Sequence, residues 1–342
     1  MTDVPLRLTV HDVVTETPES RSLVFQAPQG WDYRPGQFLT VRIPGEDGTS
    51  LARCYSLSSS PHTDDLLKVT VKSVGPGSAW LCANASPGTE LEVLPPSGKF
   101  TPKTLDGDLL LVAAGSGITP IMSIAKSTLA AGAGRIVLLY ANRDESSVIF
   151  RDELRELAER HPDRFAVVHW LESLQGLPAP EGLAATLRPF TDAEIYTCGP
   201  PAFMDSVTAA LRALEVPRRR IHAERFASLA GNPFERHDTE PAGAAGSEAA
   251  PGTRLKVRLD REDHEMDWSP DTKLLDRLLD RGLDAPFSCR EGRCSACICL
   301  VKSGEVKMLQ NNILEQEDLD DGYVLGCQSV PVTDQVEISY DE

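Results

Sequence analysis

Residues 288–297 read SCREGRCSAC, and one further cysteine, Cys327, follows in LGCQ (residues 325–328). Cys289, Cys294 and Cys297 therefore stand as C-x4-C-x2-C, with 29 residues between Cys297 and Cys327. Three thiolates on one tight loop and a fourth from a distant strand are the ligand set of a plant-type [2Fe–2S] cluster. The x4 gap is Arg-Glu-Gly-Arg, and Gly292 lets backbone N–H groups turn inward toward sulfur. A structural zinc site is the competing reading, since zinc also accepts four thiolates. Zinc ribbons usually pair two C-x2-C knuckles, and only one C-x2-C belongs to this set. A cluster of this kind passes one electron at a time.

Working outward, Leu255–Leu259 and His264–Trp268 alternate as strands, Leu274–Leu279 has the period of a short amphipathic helix, and Val336–Tyr340 reads as a final strand. A small sheet packed on a helix, with cysteines on an exposed loop, is an α+β, ferredoxin-like (β-grasp) arrangement over residues 254–342. Upstream, residues 230–253 are rich in Ala, Gly, Pro, Glu and Ser without an apolar period, and read as a linker. Residues 1–105 are dense in short β patterns broken by Pro and Gly: LRLTVHDVV, SLVFQAP, PGQFLTVRI, LLKVTVKSV and LEVLPPSG. That rhythm predicts an antiparallel β-barrel. Residues 106–229 change rhythm. The apolar runs Leu109–Ala113, Ile136–Tyr140, Phe165–Trp170 and Glu194–Thr197 alternate with helical patterns, which predicts an α/β domain with a parallel sheet.

Three stretches carry further chemistry. LVAAGSGITPIMS follows a strand and opens a helix, so Gly115 and Gly117 allow a pyrophosphate to approach free N–H groups. Thr119 adds a hydroxyl and Pro120 suits the first helical turn, although it stands where a third glycine is usual. YTCGPP places Cys198, Gly199 and Pro200 at the end of another strand, where parallel sheets bind ligands. In the barrel, Arg53 can meet a phosphate, Tyr55 can cover a flat ring, and Ser56 can hydrogen-bond a ring nitrogen. Lys72, Gly77 and Ser78 lie in VKSVGPGSAW, a second place for a phosphate.

RCYSLSSSP, VKSVGPGSAWL, PPSGKF, AAGSGITPIMS, YANRDESSVIF, YTCGPPAFM and CREGRCSAC occur in this order. Together they resemble the ferredoxin–NAD(P)+ reductase-like flavoprotein reductases that carry a C-terminal plant-type ferredoxin. The C-terminal sequence looks most like the reductase components of 3-ketosteroid 9α-hydroxylase, with phenylacetyl-CoA oxygenase reductases close behind. The resemblance implies FAD held by Arg53, Tyr55 and Ser56, with Ser56 near N5 of the flavin. It implies a second flavin phosphate segment at Gly77 and Ser78, where Gly75-Pro76-Gly77 stands in place of the usual paired glycines. Nicotinamide nucleotide is expected on Gly115, Gly117, Thr119, Pro120, Cys198, Gly199 and Pro200, with Cys198 beside the reactive ring. Phe226 matches a residue that closes over the flavin. Ser56 and Cys198 are thus the side chains expected at hydride transfer. Arg143, with Ser146 and Ser147, could receive the 2′-phosphate of NADPH, but Asp144 and Glu145 would repel it. The resemblance favours NADH, with NADPH the alternative.

Composition narrows the partners. A net charge of −17 speaks against nucleic acid. Residues 254–342 hold 11 Lys and Arg against 20 Asp and Glu, a net −9, which reads either as a solvated surface or as a docking face for a basic partner. No segment approaches the roughly 20 apolar residues of a membrane span. Free thiols beside a cluster suit a reducing cytoplasm. A monomeric oxidoreductase is expected, passing electrons to a separate terminal oxygenase, Rieske-type by the steroid resemblance. A diiron phenylacetyl-CoA-type oxygenase is the alternative partner, and an iron–sulfur redox sensor is the alternative function.

Overall fold

The computed structural model describes residues 5–28, 31–45, 48–229, 231–235 and 252–341. The expected linker, 230–253, lies outside the described residues apart from 231–235 and 252–253.

Six strands open the chain: β1 (Leu6–Thr17), β2 (Ser20–Gln26), β3 (Phe38–Pro44), β4 (Ser50–Ser56), β5 (Leu66–Lys72) and β6 (Glu90–Ser97). They form one antiparallel sheet in the order β4-β3-β6-β1-β2-β5. A bridge between Leu57 and Val69 joins its two edges, so the sheet closes as a barrel. Alternate residues of each strand point inward, and Leu23, Phe25, Leu39, Val41, Val69 and Val93 fill the interior. Between β5 and β6 the stretch read as a phosphate cradle is also a helix, α1 (Pro76–Asn84). Pro76 presets its first turn, and the Ser78 hydroxyl accepts the N–H groups of Val74 and Gly75. A helix this rich in Gly, Ser and Pro has weak propensity, which is why its sequence did not announce it.

The second sheet is parallel throughout, in the order β11-β10-β7-β8-β9. Its elements are β7 (Leu109–Ala114), α2 (Ile118–Ala131), β8 (Ile136–Asn142), α3 (Arg151–Arg160), β9 (Phe165–Leu171), α4 (Glu172–Gln175), α5 (Pro180–Leu187), β10 (Glu194–Cys198), α6 (Pro201–Ala213) and β11 (Ile221–Glu224). Every residue of β7 is buried because both faces are covered. Leu109, Leu111 and Ala113 meet the α2 and α3 side, while Leu110, Val112 and Ala114 meet the α5 and α6 side.

The third sheet is mixed. β12 (Thr253–Leu259) and β13 (Glu262–Trp268) precede α7 (Leu274–Asp280). Then come β14 (Ile298–Ser303), β15 (Val306–Met308), α8 (Gln316–Asp320), β16 (Tyr323–Leu325), β17 (Ser329–Pro331) and β18 (Gln335–Ser339). The order is β13-β12-β18-β14-β16, with β12 and β18 parallel, and β15–β17 forms a separate pair. Leu274, Leu275 and Leu278 of α7 pack with buried Trp268, whose indole N–H donates to the Thr272 carbonyl at 2.7 Å.

Polar contacts join the three parts. Lys126 of α2, only 7% exposed, meets Asp64 of the barrel and Glu153 of α3, the latter at 2.9 Å. Burial alone would push its pKa down, but Glu153 and Asp64 outweigh it and hold the ammonium charged. On the other side, α8 meets the nucleotide domain. Arg218 pairs with Asp318 at 3.3 Å and Glu317 at 3.5 Å, Arg212 with Glu317 at 3.6 Å, and Arg225 with Glu315 at 2.8 Å.

Lys126→Met should destabilise the protein by about 2 kcal/mol, because it strands two carboxylates in a poorly hydrated seam. The acids keep some water, which holds the cost below that of a wholly dry pair. Urea unfolding followed by circular dichroism measures it. A change under about 0.5 kcal/mol would show the seam to behave as a surface pair.

Candidate functional site

Strand β4 sends the R-x-Y-S residues to two faces. Ala52, Cys54 and Ser56 share one side by the two-residue period, and Arg53 and Tyr55 share the other. Tyr55 packs against the barrel core, and burial pushes its hydroxyl far above the ordinary range. Arg53 Nη1 donates to the Ala52 carbonyl at 2.7 Å and the Leu229 carbonyl at 3.2 Å. A Cβ on Gly77 would lie 2.9 Å from Ile43 Cδ1 and 3.3 Å from Arg53 Cγ, so the glycine allows α1 to start against the arginine. Arg53 and the first turn of α1 thereby share one anion-friendly corner, which fits a flavin pyrophosphate. The Ser78 hydroxyl is occupied in starting its own helix.

The two nucleotide loops meet directly. A Cβ on Gly117 would lie 2.1 Å from the Cys198 carbonyl oxygen and 2.7 Å from the Gly199 nitrogen. Only glycine permits that approach. The register Val112↔Thr197 and Ala113↔Cys198 brings both loops to the carboxyl ends of β7 and β10. Tyr140 Oη donates to the Gly115 carbonyl at 3.0 Å, and Thr119 Oγ1 to the Ser116 carbonyl at 3.0 Å. Thr119 and Pro120 are buried, and Pro200 leads into α6. This shelf suits a dinucleotide's phosphates and ring.

Lys72 and Arg143 share one partner across the seam. Both are tied to Glu19 in the β1–β2 turn, Arg143 at 2.8 Å and Lys72 at 3.8 Å. Lys72 Nζ reaches the nucleotide loop, 3.8 Å from where a Gly115 Cβ would be. It therefore reaches the seam between barrel and nucleotide domain. The hydroxyls of Ser146 and Ser147 both donate to Asp144 Oδ1, at 2.6 and 2.8 Å.

Glu224, two positions before Phe226, has no counterpart among the residues expected from the sequence. It pairs in register with Cys198, and burial pushes its carboxyl up to about 8. Burial and the Glu224 carboxyl also push the Cys198 thiol up. Glu224 and Phe226, the latter 49% exposed, line a narrow cleft with Phe38, Cys54, Ser56 and Cys294.

Cys294 brings the cluster loop into that cleft. Cys289, Cys294, Cys297 and Cys327 are all buried, and no described cysteine is in a disulfide. Cys289 Sγ accepts the Glu291 and Arg293 N–H groups at 3.3 Å each, Cys294 Sγ accepts Cys289 N–H at 3.3 Å, and Cys297 Sγ accepts Cys327 N–H at 3.4 Å. Arg290, Gly292 and Ser295 adopt positive φ, which turns these groups inward. Such a pocket fits sulfur that carries negative charge. Among the described residues no three His, Cys, Asp or Glu side chains are gathered as for a single metal ion. A two-iron cluster asks for only two thiolates per metal. The loop seats on the barrel: Cys289, Cys294 and Ala296 pack with Phe38, Ala52 and Leu229, and Ser288 Oγ is hydrogen-bonded to Thr40 Oγ1.

Comparisons with known proteins follow the same division. Residues 6–101 match the oxidoreductase FAD-binding domain, 111–209 the oxidoreductase NAD-binding domain, and 257–332 the 2Fe-2S iron-sulfur cluster binding domain. The ferredoxin reductase component of 3-ketosteroid-9-alpha-monooxygenase from Mycobacterium tuberculosis is 53% identical, over 99% of this chain and 97% of the other. One component of the 1,2-phenylacetyl-CoA epoxidase from Escherichia coli is 35% identical, over 98% and 97%. Among solved structures, phthalate dioxygenase reductase aligns over 98% of both chains at 25% identity, with a TM-score of 0.57.

Gly117→Val should cut flavin reduction by NADH about 100-fold by displacing the Cys198 loop, with flavin content unchanged. Rapid-mixing absorbance measures it, and a rate near the wild type would show that the close approach does not shape the nucleotide shelf. Burial raises the Glu224 carboxyl from 4.5 to about 8, so this group's contribution to stability is fully present below pH 4.5 and is lost as pH rises toward 8. Glu224→Gln should flatten that part of the melting-temperature profile; an unaltered slope would place the carboxyl in water.

Proposed function

Because the chain belongs to the family of ferredoxin reductase components of 3-ketosteroid-9-alpha-monooxygenase, we propose that it carries electrons from NADH through FAD and a [2Fe–2S] cluster to a Rieske-type terminal oxygenase acting on a 3-ketosteroid. One observation supports the path most directly. Ser56, expected at the flavin, and Cys294, expected at the cluster, line the same cleft. Bound there, FAD supplies two-electron acceptance with one-electron release, and the cluster supplies a one-electron carrier.

The chain's own residues supply placement and dryness. Arg53 and the first turn of α1 hold the pyrophosphate, and Tyr55 supports the ring system. Ser56, Cys198, Glu224 and Phe226 surround the position where nicotinamide and flavin meet. Glu224 is uncharged at neutral pH, so the site places no carboxylate beside a ring that receives negative charge. Cys289, Cys294, Cys297 and Cys327 hold the irons as thiolates.

NADH is favoured by a specific arrangement. A 2′-phosphate would need the Ser146 and Ser147 hydroxyls and Arg143, yet these serve Asp144 and Glu19. The oxygenase partner is separate. Among the described residues no helix is long and apolar enough to cross a membrane. A single chain contains every group named above, so a monomer suffices.

NADH added anaerobically should bleach both flavin and cluster absorbance. With a 3-ketosteroid 9α-hydroxylase terminal oxygenase it should support steroid hydroxylation, and kcat/KM should favour NADH over NADPH by at least about tenfold. A protein without iron, or turnover with a phenylacetyl-CoA oxygenase alone, would overturn the steroid reading. Failure to sustain NADH-dependent reduction of cytochrome c would favour a redox sensor.

A further inference from the structure

The residues between the first two cluster cysteines do more than close a turn. Glu291 Oε1 accepts the Gly231 N–H at 2.6 Å, and Arg293 Nη1 donates to the Ser228 carbonyl at 3.3 Å. The two side chains pair with each other at 3.6 Å and are 17% and 31% exposed. They grip a strap made of residues 226–229 and 231–235.

That strap is fastened to the barrel by other groups. Arg53 Nη1 donates to the Leu229 carbonyl at 3.2 Å, and Asn232 Nδ2 donates to the Ser50 carbonyl at 3.2 Å and its hydroxyl at 2.6 Å. Leu229 and Phe234 join the apolar patch under Cys289 and Cys294. On the opposite side of the loop, Ser288 is tied to Thr40 of β3. The cluster loop is therefore held from two directions, by a barrel strand and by a strap that reaches back to the flavin arginine.

We infer that Glu291 and Arg293 are positioning residues that set the separation between flavin and cluster by tying the cysteine loop to this strap. The inference rests on the electron path proposed above. The step it serves moves one electron from reduced flavin to oxidised cluster, and no bond between them forms or breaks. Such a step depends on separation and not on a proton donor at the interface. The ion pairs of α8 are a poorer candidate for this task. They lie on a different element from the cysteine loop, and their partly exposed charges are screened by salt.

The test uses the full holoprotein with Glu291→Ala, Glu291→Gln, Arg293→Met and Asn232→Ala. The last loosens the strap from the barrel without touching the cysteine loop. After mixing with NADH, flavin reduction should slow far less than cluster reduction, although Phe226 is on the strap and Arg293 lines the same cleft. Cluster reduction should slow roughly tenfold or more in Glu291→Ala, Arg293→Met and Asn232→Ala. Glu291→Gln keeps an acceptor oxygen for the Gly231 N–H and should recover most of the rate. Iron content and the EPR line shape of the reduced cluster should match the wild type, while its spin coupling to one-electron-reduced flavin weakens. Unchanged cluster-reduction rates would overturn the inference. So would slow rates confined to variants that lose iron or alter the line shape, which would make these residues supports of the cluster alone. A wild-type protein whose flavin reduces but whose cluster never does would overturn the electron path beneath it.

Discussion

Sulfur that carries negative charge is costly to bury unless N–H groups point at it, and the Cys289–Cys297 loop is shaped by that requirement. Three residues with positive φ turn the backbone so that amides of Cys289, Glu291 and Arg293 face thiol sulfur. Once the amides face inward, the side chains of Glu291 and Arg293 face outward. There they meet the strap that leaves the nucleotide domain. The same turn that makes a ligand pocket thus presents polar groups to the rest of the molecule. The seat of the loop on β3 and β4 follows, and with it the common cleft of Ser56 and Cys294.

The nucleotide side obeys a different constraint, that of backbone approach. Gly117 lies so near Cys198 that no side chain fits between them. Two loops separated by about eighty residues become one surface because β7 and β10 are neighbours in a parallel sheet. Burial pushes the Glu224 carboxyl up there.

Much of this was legible in residue order, and the reasons differ by region. The run LLLVAA announced a strand covered on both faces, because only a doubly covered strand has no polar alternate positions. The cysteine spacing announced its ligand set because cluster geometry leaves little freedom between ligands. Other features depend on partners far away in sequence. Nothing in YANRDESS says that Arg143 will meet Glu19 across a domain seam, or that both serines will turn to Asp144. Lys72 is one strand residue among several, and its place beside Gly115 follows from how the barrel docks. Glu224 carries no local signal of burial, since its environment is built by β10 and the barrel. α1 escaped notice because its residues favour turns and only the Pro76–Ser78 start makes it helical.

Three carboxylates on or beside α8 are answered by arginines of the same chain: Glu315 by Arg225, Glu317 by Arg212 and Arg218, and Asp318 by Arg218. The cluster domain's formal excess of acid is therefore not the charge an approaching macromolecule feels from that side. Seen from beyond a Debye length of about 8 Å, a compensated flank fades sooner than its carboxylate count suggests. Acids elsewhere on the domain then dominate its far field. The electrical asymmetry of the whole molecule is in this way partly an outcome of its own internal docking.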